Sequence, residues 1–331
     1  MSNYPAIRRA LAGRLWYMDE QKLREVVAFL EFKFAGGSTA AEVLKAYKDE
    51  DDTRSARAAR SQRVSASSAG SVAVIPVYGM ITHRANMMSE FSGGTSTESL
   101  SAQIRQAVND PNVKAIVMDI DSPGGDVDGV DELASEIYSA RKSKSITAVS
   151  NCLCASAAYY LASQANEVVV SPSSLTGSIG VYTMHEDDSE MLANAGIKYT
   201  LIKYGENKAE GISTEPLSDS AKANLQEMVD TFGLSFEKAV ARGRGVALAE
   251  VQKKFGNGRV FDAQKAVRVG MADRVGTLDD VLAKFGVKRT TGSAQAADEV
   301  LFVAADEAPA IAAAAPSAEM RRRALELLAH S

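Results

Sequence analysis

A serine set among small neighbours, in Cys154-Ala155-Ser156-Ala157-Ala158-Tyr159-Tyr160, is the residue of this chain whose surroundings best suit nucleophilic chemistry. The stretch reads as the start of a helix. Terminal amides there favour a developing alkoxide, and Ala155, Ala157 and Ala158 leave room for a substrate to approach. The same pattern also describes an N-cap serine on a small-residue packing helix. No G-x-S-x-G elbow surrounds Ser156, so no α/β-hydrolase motif supports it. Cys154 reads as a buried small hydrophobe rather than a rival nucleophile.

A serine nucleophile needs a base, and the chain has only 3 histidines, His83, His185 and His330. His330 lies in the C-terminal tail and His83 follows the first core strand in a polar loop. His185 follows a strand-like run, with Asp187 and Asp188 close by as possible orienting groups. Lysine is the other choice, but it accepts a proton only when burial or neighbouring charge lowers its pKa. Lys208, in Tyr204-Gly205-Glu206-Asn207-Lys208-Ala209-Glu210-Gly211, is one candidate, although composition and spacing do not distinguish it from the other lysines. A third feature is Ser122-Pro123-Gly124-Gly125. Two glycines in series let the backbone turn sharply and leave its amides open to a developing oxyanion. A plain strand-to-helix turn would need the same residues.

The elements that must position these groups follow from periodicity. Val72–Gly79 and Val113–Ile120 read as strands, the second apolar on both faces and therefore central and parallel. Ile146–Ser150, Val168–Ser171, Ile179–Tyr182 and Lys198–Lys203 read as further strands. Helices are expected over Thr97–Asn109, Val130–Arg141 and from about Ser156. A long one carries Leu225, Met228, Val229, Phe232, Phe236 and Val240 as a stripe. Strands alternating with helices define an α/β core over residues 72–287. Ahead of it, residues 1–50 read as a helical module (Leu23, Val26, Val27, Leu30 and Phe34), and residues 51–71 as a polar Ser/Ala/Arg linker. Residues 288–331 form an Ala-rich tail ending in a short helix. No internal repeat is present.

Composition narrows the classes. The 331 residues hold 37 Lys and Arg against 42 Asp and Glu, a net charge of −5, which gives no support to a nucleic-acid binder. No run is long and apolar enough for a membrane span or a signal peptide. The 2 cysteines, Cys152 and Cys154, are too close for an unstrained disulfide and lack the partners of a zinc site. A reducing, cytoplasmic setting is therefore expected, with no metal and no nucleotide cofactor.

Taken together, Asp119-Ile120-Asp121-Ser122-Pro123-Gly124-Gly125-Asp126-Val127-Asp128-Gly129, the Ala155-Ser156-Ala157-Ala158-Tyr159-Tyr160 run and Thr176-Gly177-Ser178-Ile179-Gly180-Val181 resemble the S49 peptidases, the signal peptide peptidase A type of serine protease. The resemblance covers about residues 72–286. It implies a ClpP/crotonase-like core of repeated β-β-α units and a Ser–Lys dyad. By position Ser156 becomes the nucleophile and Lys208 the base, while Gly124, Gly125 and the amide of Ala157 contribute the oxyanion hole. His185 is the rival base, near where Clp-type proteases place their histidine. Two features set the chain apart from membrane-bound members: it opens on an amphipathic module instead of an anchor, and it has Ser156-Ala157-Ala158 where many cellular members have Ser-Gly-Gly. The layout is similar to phage-encoded S49 proteases, which implies scaffold, portal or coat proteins as substrates, a homo-oligomer, and the host cytoplasm or the prohead as location. The alternatives are a cellular peptide-degrading protease of the same family, a crotonase-type acyl-CoA enzyme and a non-catalytic capsid assembly factor. Self-cleavage near 51–71 or 288–316 is a further expectation.

Overall fold

The computed structural model describes residues 15–18, 64–65, 71–84 and 94–289. The rest of the N-terminal helical module and of the polar linker, and the tail beyond Arg289, lie outside the described residues. The strands in chain order are β1 (Trp16–Met18), β2 (Val64–Ser65), β3 (Ser71–Thr82), β4 (Thr95–Ser96), β5 (Val113–Asp126), β6 (Ser145–Ala155), β7 (Glu167–Val170), β8 (Leu175–Gly177), β9 (Val260–Asp262), β10 (Arg274–Val275) and β11 (Lys288–Arg289). The helices are α1 (Thr97–Asn109), α2 (Val130–Ala140), α3 (Ala157–Ala162), α4 (Ser189–Asn194), α5 (Asp219–Arg244), α6 (Leu248–Lys254), α7 (Ala263–Val269) and α8 (Leu278–Lys284). This is the expected α/β architecture, with one correction at its start. Leu15–Met18, read as part of a helical module, is buried and ends in the strand β1.

The main sheet runs β10-β7-β6-β5-β3-β4, with every pair along that path parallel. Its strands are rich in Val and Ile and covered on both faces, as a parallel sheet requires. On one face Ala73, Ile75, Ile116, Met118, Ile146 and Val168 pack with α1, α2 and α3. The alternate residues Val72, Val74, Val117, Val149 and Val169 face Leu278, Val281 and Leu282 of α8. The period of 2 along each strand thus sorts the two layers. A bidentate pair closes the far side. Arg244, at the end of α5, reaches both carboxylate oxygens of Asp273 at 3.0 and 2.7 Å, and Asp273 also accepts from the Val168 amide.

Partial burial acts to raise the Asp273 pKa, but the hydrogen bonds from Arg244 and Val168 outweigh it and hold the carboxyl below its ordinary range. A lowered folded-state pKa contributes stability above the unfolded value of about 3.9, and that stability is lost as pH falls through the folded one. Wild type should therefore melt above Asp273→Asn at pH 6, and the gap should narrow as pH falls below about 4. A gap that stays constant across pH-dependent thermal melts would contradict the assignment.

Three local expectations are corrected. Ser122-Pro123-Gly124-Gly125 is not a turn after the central strand but its continuation, since β5 runs to Asp126. Ile179–Tyr182 forms no strand, only an antiparallel bridge between Tyr182 and Trp16. Lys198–Lys203 has no regular structure, and Tyr199, Leu201 and Ile202 stand exposed. Its β-favouring residues find no edge to pair with among the described residues. The stripe on α5 packs from Val229 onward, while Met228 is exposed.

Candidate active site

The site is made where the sheet comes apart. β5 and β6 keep parallel register as far as Ile120↔Ser150, slip, and pair for the last time at Ser122↔Cys154, while Leu153, Cys154 and Ala155 of β6 pair with β8. β5 instead continues beside β3 as far as Ile81↔Gly125. The cleft between the two diverging strands has Gly124 on one side and Ser156 on the other.

Ser156 sits on the turn from β6 into α3 with φ 54° and ψ −119°. A non-glycine residue in that region is strained, and strain of this kind persists only where the surrounding structure holds it. The Ser156 amide, bonded to the Gly177 carbonyl at 2.8 Å, and the Ser156 carbonyl, which accepts from Tyr160 at 2.8 Å, fix the turn. Ser156 occupies the N-cap position of α3, yet its side chain makes no capping bond. The hydroxyl is buried and has no hydrogen-bond partner among the described residues. A buried hydroxyl left unmated costs roughly 1–3 kcal/mol, so the N-cap explanation of this serine does not account for it. The geometry is that of a nucleophile elbow, reached with Cys154 and Ala158 in place of the usual glycines.

Gly124 has φ +95°, and a Cβ built there would lie 2.9 Å from the Ala157 amide and 2.9 Å from the Ala155 carbonyl, on either side of Ser156. This end of β5 is braced by Ser122, whose hydroxyl donates to the Gly79 carbonyl at 2.6 Å and accepts from the Gly124 amide at 3.2 Å. Gly125 faces the other way, and a Cβ there would fall 1.8 Å from the Ile81 carbonyl. Gly124 and Ala157 therefore border the space beside the Ser156 hydroxyl, whereas Gly125 is required by the close approach of β3. An amide at a helix N-terminus and a glycine loop next to an unmated serine are what acyl transfer uses to hold a tetrahedral oxyanion.

The candidate bases are elsewhere. Lys208 lies in an exposed stretch, its amide bonded to the Gly205 carbonyl at 3.2 Å. His185 is half-buried with Nε2 unpartnered, and its charge contributes to holding Asp187 below the usual carboxylate range, after the hydrogen bonds from Ser189. Since Ser156 Oγ has no partner, neither group lies within hydrogen-bonding distance of it. His83 is bound up at the rim, with Nδ1 3.1 Å from the Thr97 hydroxyl. Cys154 is buried, and burial pushes its thiol pKa far up, which fits an inert packing role. Among the described residues no cluster of His, Cys, Asp or Glu forms a metal site.

Two contributors escaped sequence reasoning. Gly177 receives the Ser156 amide, and β1 pairs with Gly124–Asp126 directly at the cleft. A run of Leu15, Trp16, Tyr17 and Met18 between charged neighbours carries a strand signal that the surrounding helical periodicity masked.

Residues 139–290 match Peptidase family S49. The head-tail preconnector protein GP5 of Enterobacteria phage P21 is 34% identical over 211 residues, covering 64% of this chain and 42% of that protein. Capsid assembly protease C of Escherichia phage lambda is 32% identical over 211 residues, covering 64% of this chain and 48% of that protein. The chain thus spans less than half the length of these curated relatives. Among solved structures, a ClpP1 variant from Listeria monocytogenes aligns over 63% of this chain and 94% of its own, at 15% identity and a TM-score of 0.39.

Proposed function

We propose that this chain, which carries a Peptidase family S49 domain, is a serine endopeptidase with Ser156 as nucleophile and Lys208 as general base. The observation that carries the reading is the strained, unmated Ser156 hydroxyl beside the Ala157 amide and Gly124. The Ser156 oxygen attacks the scissile carbonyl carbon while its proton passes to the Lys208 amine. The carbonyl oxygen, now negative, is held by the Ala157 amide and by Gly124, whose own amide leaves Ser122 to do so. Collapse expels the amine of the departing peptide, which takes the proton back from the Lys208 ammonium. Lys208 then deprotonates water, the hydroxide attacks the Ser156 ester, and the serine oxygen leaves with the proton.

For that chemistry Lys208 has to move from its exposed loop to the cleft. The flank carrying it supports delivery through assembly. Ile202 is 94% and Tyr204 100% exposed, and Met191, Ile197, Tyr199 and Leu201 add apolar surface around them. A patch of this kind marks a protein–protein contact, and pairing with a second copy would bury it and bring the 204–211 loop onto a serine. The likeness to a head-tail preconnector protein of one phage and a capsid assembly protease of another supports head-assembly proteins as substrates, and with them the host cytoplasm or the prohead as location. Among the described residues no helix is long and apolar enough to cross a membrane.

The pH dependence of kcat/KM on a peptide substrate, paired with the rate of labelling by a fluorophosphonate, tests the base. Both should rise through a single ionisation, and the label should map to Ser156. A profile that is flat from neutral to alkaline pH, or a label elsewhere, would defeat the dyad.

A further inference from the structure

β1 occupies the cleft. Trp16, Tyr17 and Met18 run antiparallel to Asp126, Gly125 and Gly124 on one side. On the other side Trp16 exchanges both backbone hydrogen bonds with Tyr182, at 2.9 and 3.2 Å. An extended segment is thus clamped between the strand that carries the glycine loop and the segment that follows Gly177. The Tyr17 carbonyl lies 2.1 Å from where a Gly124 Cβ would be, the same point that lies 2.9 Å from the Ala157 amide. Its carbonyl is therefore packed against Gly124, one of the two groups assigned to an oxyanion, on the flank where the Ala157 amide also lies.

The side chain of Tyr17 is equally well received. Its ring meets Phe236 edge-on at 5.2 Å and Tyr160 at 5.6 Å, and those two rings stack on each other at 4.5 Å. Its phenol donates to the Phe232 carbonyl at 2.8 Å. Burial raises the Tyr17 pKa well above its ordinary value, so the phenol remains a donor. Tyr160 is itself held by Asp131, to which its hydroxyl donates at 2.7 Å. With this segment in place Ser156 is only 1% exposed.

We infer that the cleft between Gly124–Asp126 and Tyr182 is the binding site for an extended polypeptide, with the Tyr160–Phe236–Phe232 nest selecting a tyrosine at the residue before the scissile bond. The chain's own Trp16–Met18 fills that site as an intramolecular substrate mimic. The inference rests on the peptidase reading for the word scissile, but the binding site stands on the strand pairing alone. It has two consequences. Incoming polypeptide must displace β1, so the folded chain is latent. The site also ranks side chains: tyrosine above phenylalanine by the one phenol hydrogen bond, roughly 2- to 12-fold in affinity, and both far above alanine, which leaves the aromatic nest unfilled.

Trp16 is the 1 tryptophan of the chain, so its emission reports the state of β1 without any label. The test titrates Ser156→Ala, full length, with the synthetic octapeptide Gly-Arg-Leu-Phe-Tyr-Met-Asp-Glu, which copies residues 13–20 with Phe in place of Trp16. Saturable red shift of the emission, with increased iodide quenching, is expected. The same peptide with Ala for Tyr should need at least roughly tenfold higher concentration, given the aromatic contacts and phenol bond it lacks. Emission that stays buried while fluorescence anisotropy shows a dye-tagged peptide bound would overturn the inference. In a second arm, Trp16→Ala/Tyr17→Ala in the chain with Ser156 intact should react with a fluorophosphonate about tenfold faster or more, as a strand that occludes the nucleophile is loosened. An unchanged or slower rate in a variant that retains its circular dichroism would count against latency. The first arm needs no turnover. Displacement without any labelling of Ser156 would leave the binding site standing and remove the peptidase reading, and labelling with an immovable Trp16 would do the reverse.

Discussion

Ser156→Ala should lower peptide turnover by roughly 10⁴- to 10⁶-fold, and Lys208→Ala should fall into the same range, because a nucleophile and its base act as one unit. His185→Ala should retain most activity. The asymmetry between the two candidate bases is the informative part. His185 is half-buried with a free ring nitrogen, so it has the chemistry of a base, while Lys208 has the resemblance to the family and an exposed position. Steady-state kinetics on a fluorogenic peptide measures all three. Activity in Lys208→Ala with loss in His185→Ala would transfer the role to the histidine and make Asp187 or Asp188 its orienting group.

Mixing the two inactive variants extends the same experiment to the assembly. If the loop carrying Lys208 is delivered by a neighbouring copy, Ser156→Ala and Lys208→Ala chains combined will contain sites with both groups intact. Activity should then return to about a quarter of wild type for random pairing. Mixtures that stay inactive would mean the loop folds back onto its own cleft. In that case the exposed Ile202 and Tyr204 must be explained by closure within one chain rather than by association.

How much of this was legible beforehand divides along a physical line. The buried parallel strands were readable because their two faces are both apolar, as Val113–Ile120 shows, and that pattern depends on nothing distant. The helix at about Thr97–Asn109 was readable from its apolar stripe, and the structure adds the Ser96 cap on the Ser99 amide. The failures are strands that need a partner. Lys198–Lys203 has the composition of a strand but no neighbouring edge among the described residues. Trp16–Met18 lies within a helix-like neighbourhood, yet the free edge left where β6 parts from β5 fixes it as a strand. In the site, Ser156 was recognisable by its small neighbours. Its strain was not, because Cys154 and Ala158 stand where glycines normally announce such a turn.

The paired glycines show how one motif can hold two different roles, and substituting each by alanine should separate them. Gly125→Ala places a Cβ 1.8 Å from the Ile81 carbonyl, and that neighbour is backbone in the adjoining strand, itself locked in the sheet. The two strands cannot part locally, so the expected outcome is a loss of about 4 kcal/mol or more, seen as a collapsed thermal melt or insoluble protein. Gly124→Ala meets β1 and the Ser156 turn rather than a neighbouring strand of the parallel sheet. Its Cβ would fall 2.1 Å from the Tyr17 carbonyl, which β1 relieves by leaving, and 2.9 Å from both the Ala155 carbonyl and the Ala157 amide, so the turn that carries Ser156 must shift, on top of a strained φ of +95°. What the cleft loses is the room that a carbonyl oxygen needs beside the Ala157 amide. Turnover should drop by roughly 10²- to 10³-fold, the usual effect of losing one oxyanion contact. Trp16 emission should move toward that of an exposed indole in the same variant. If Gly124→Ala folded, kept its activity and kept Trp16 buried, then neither an oxyanion nor the Tyr17 carbonyl could lie where this geometry places them, and the cleft would have to be assigned to another chemistry.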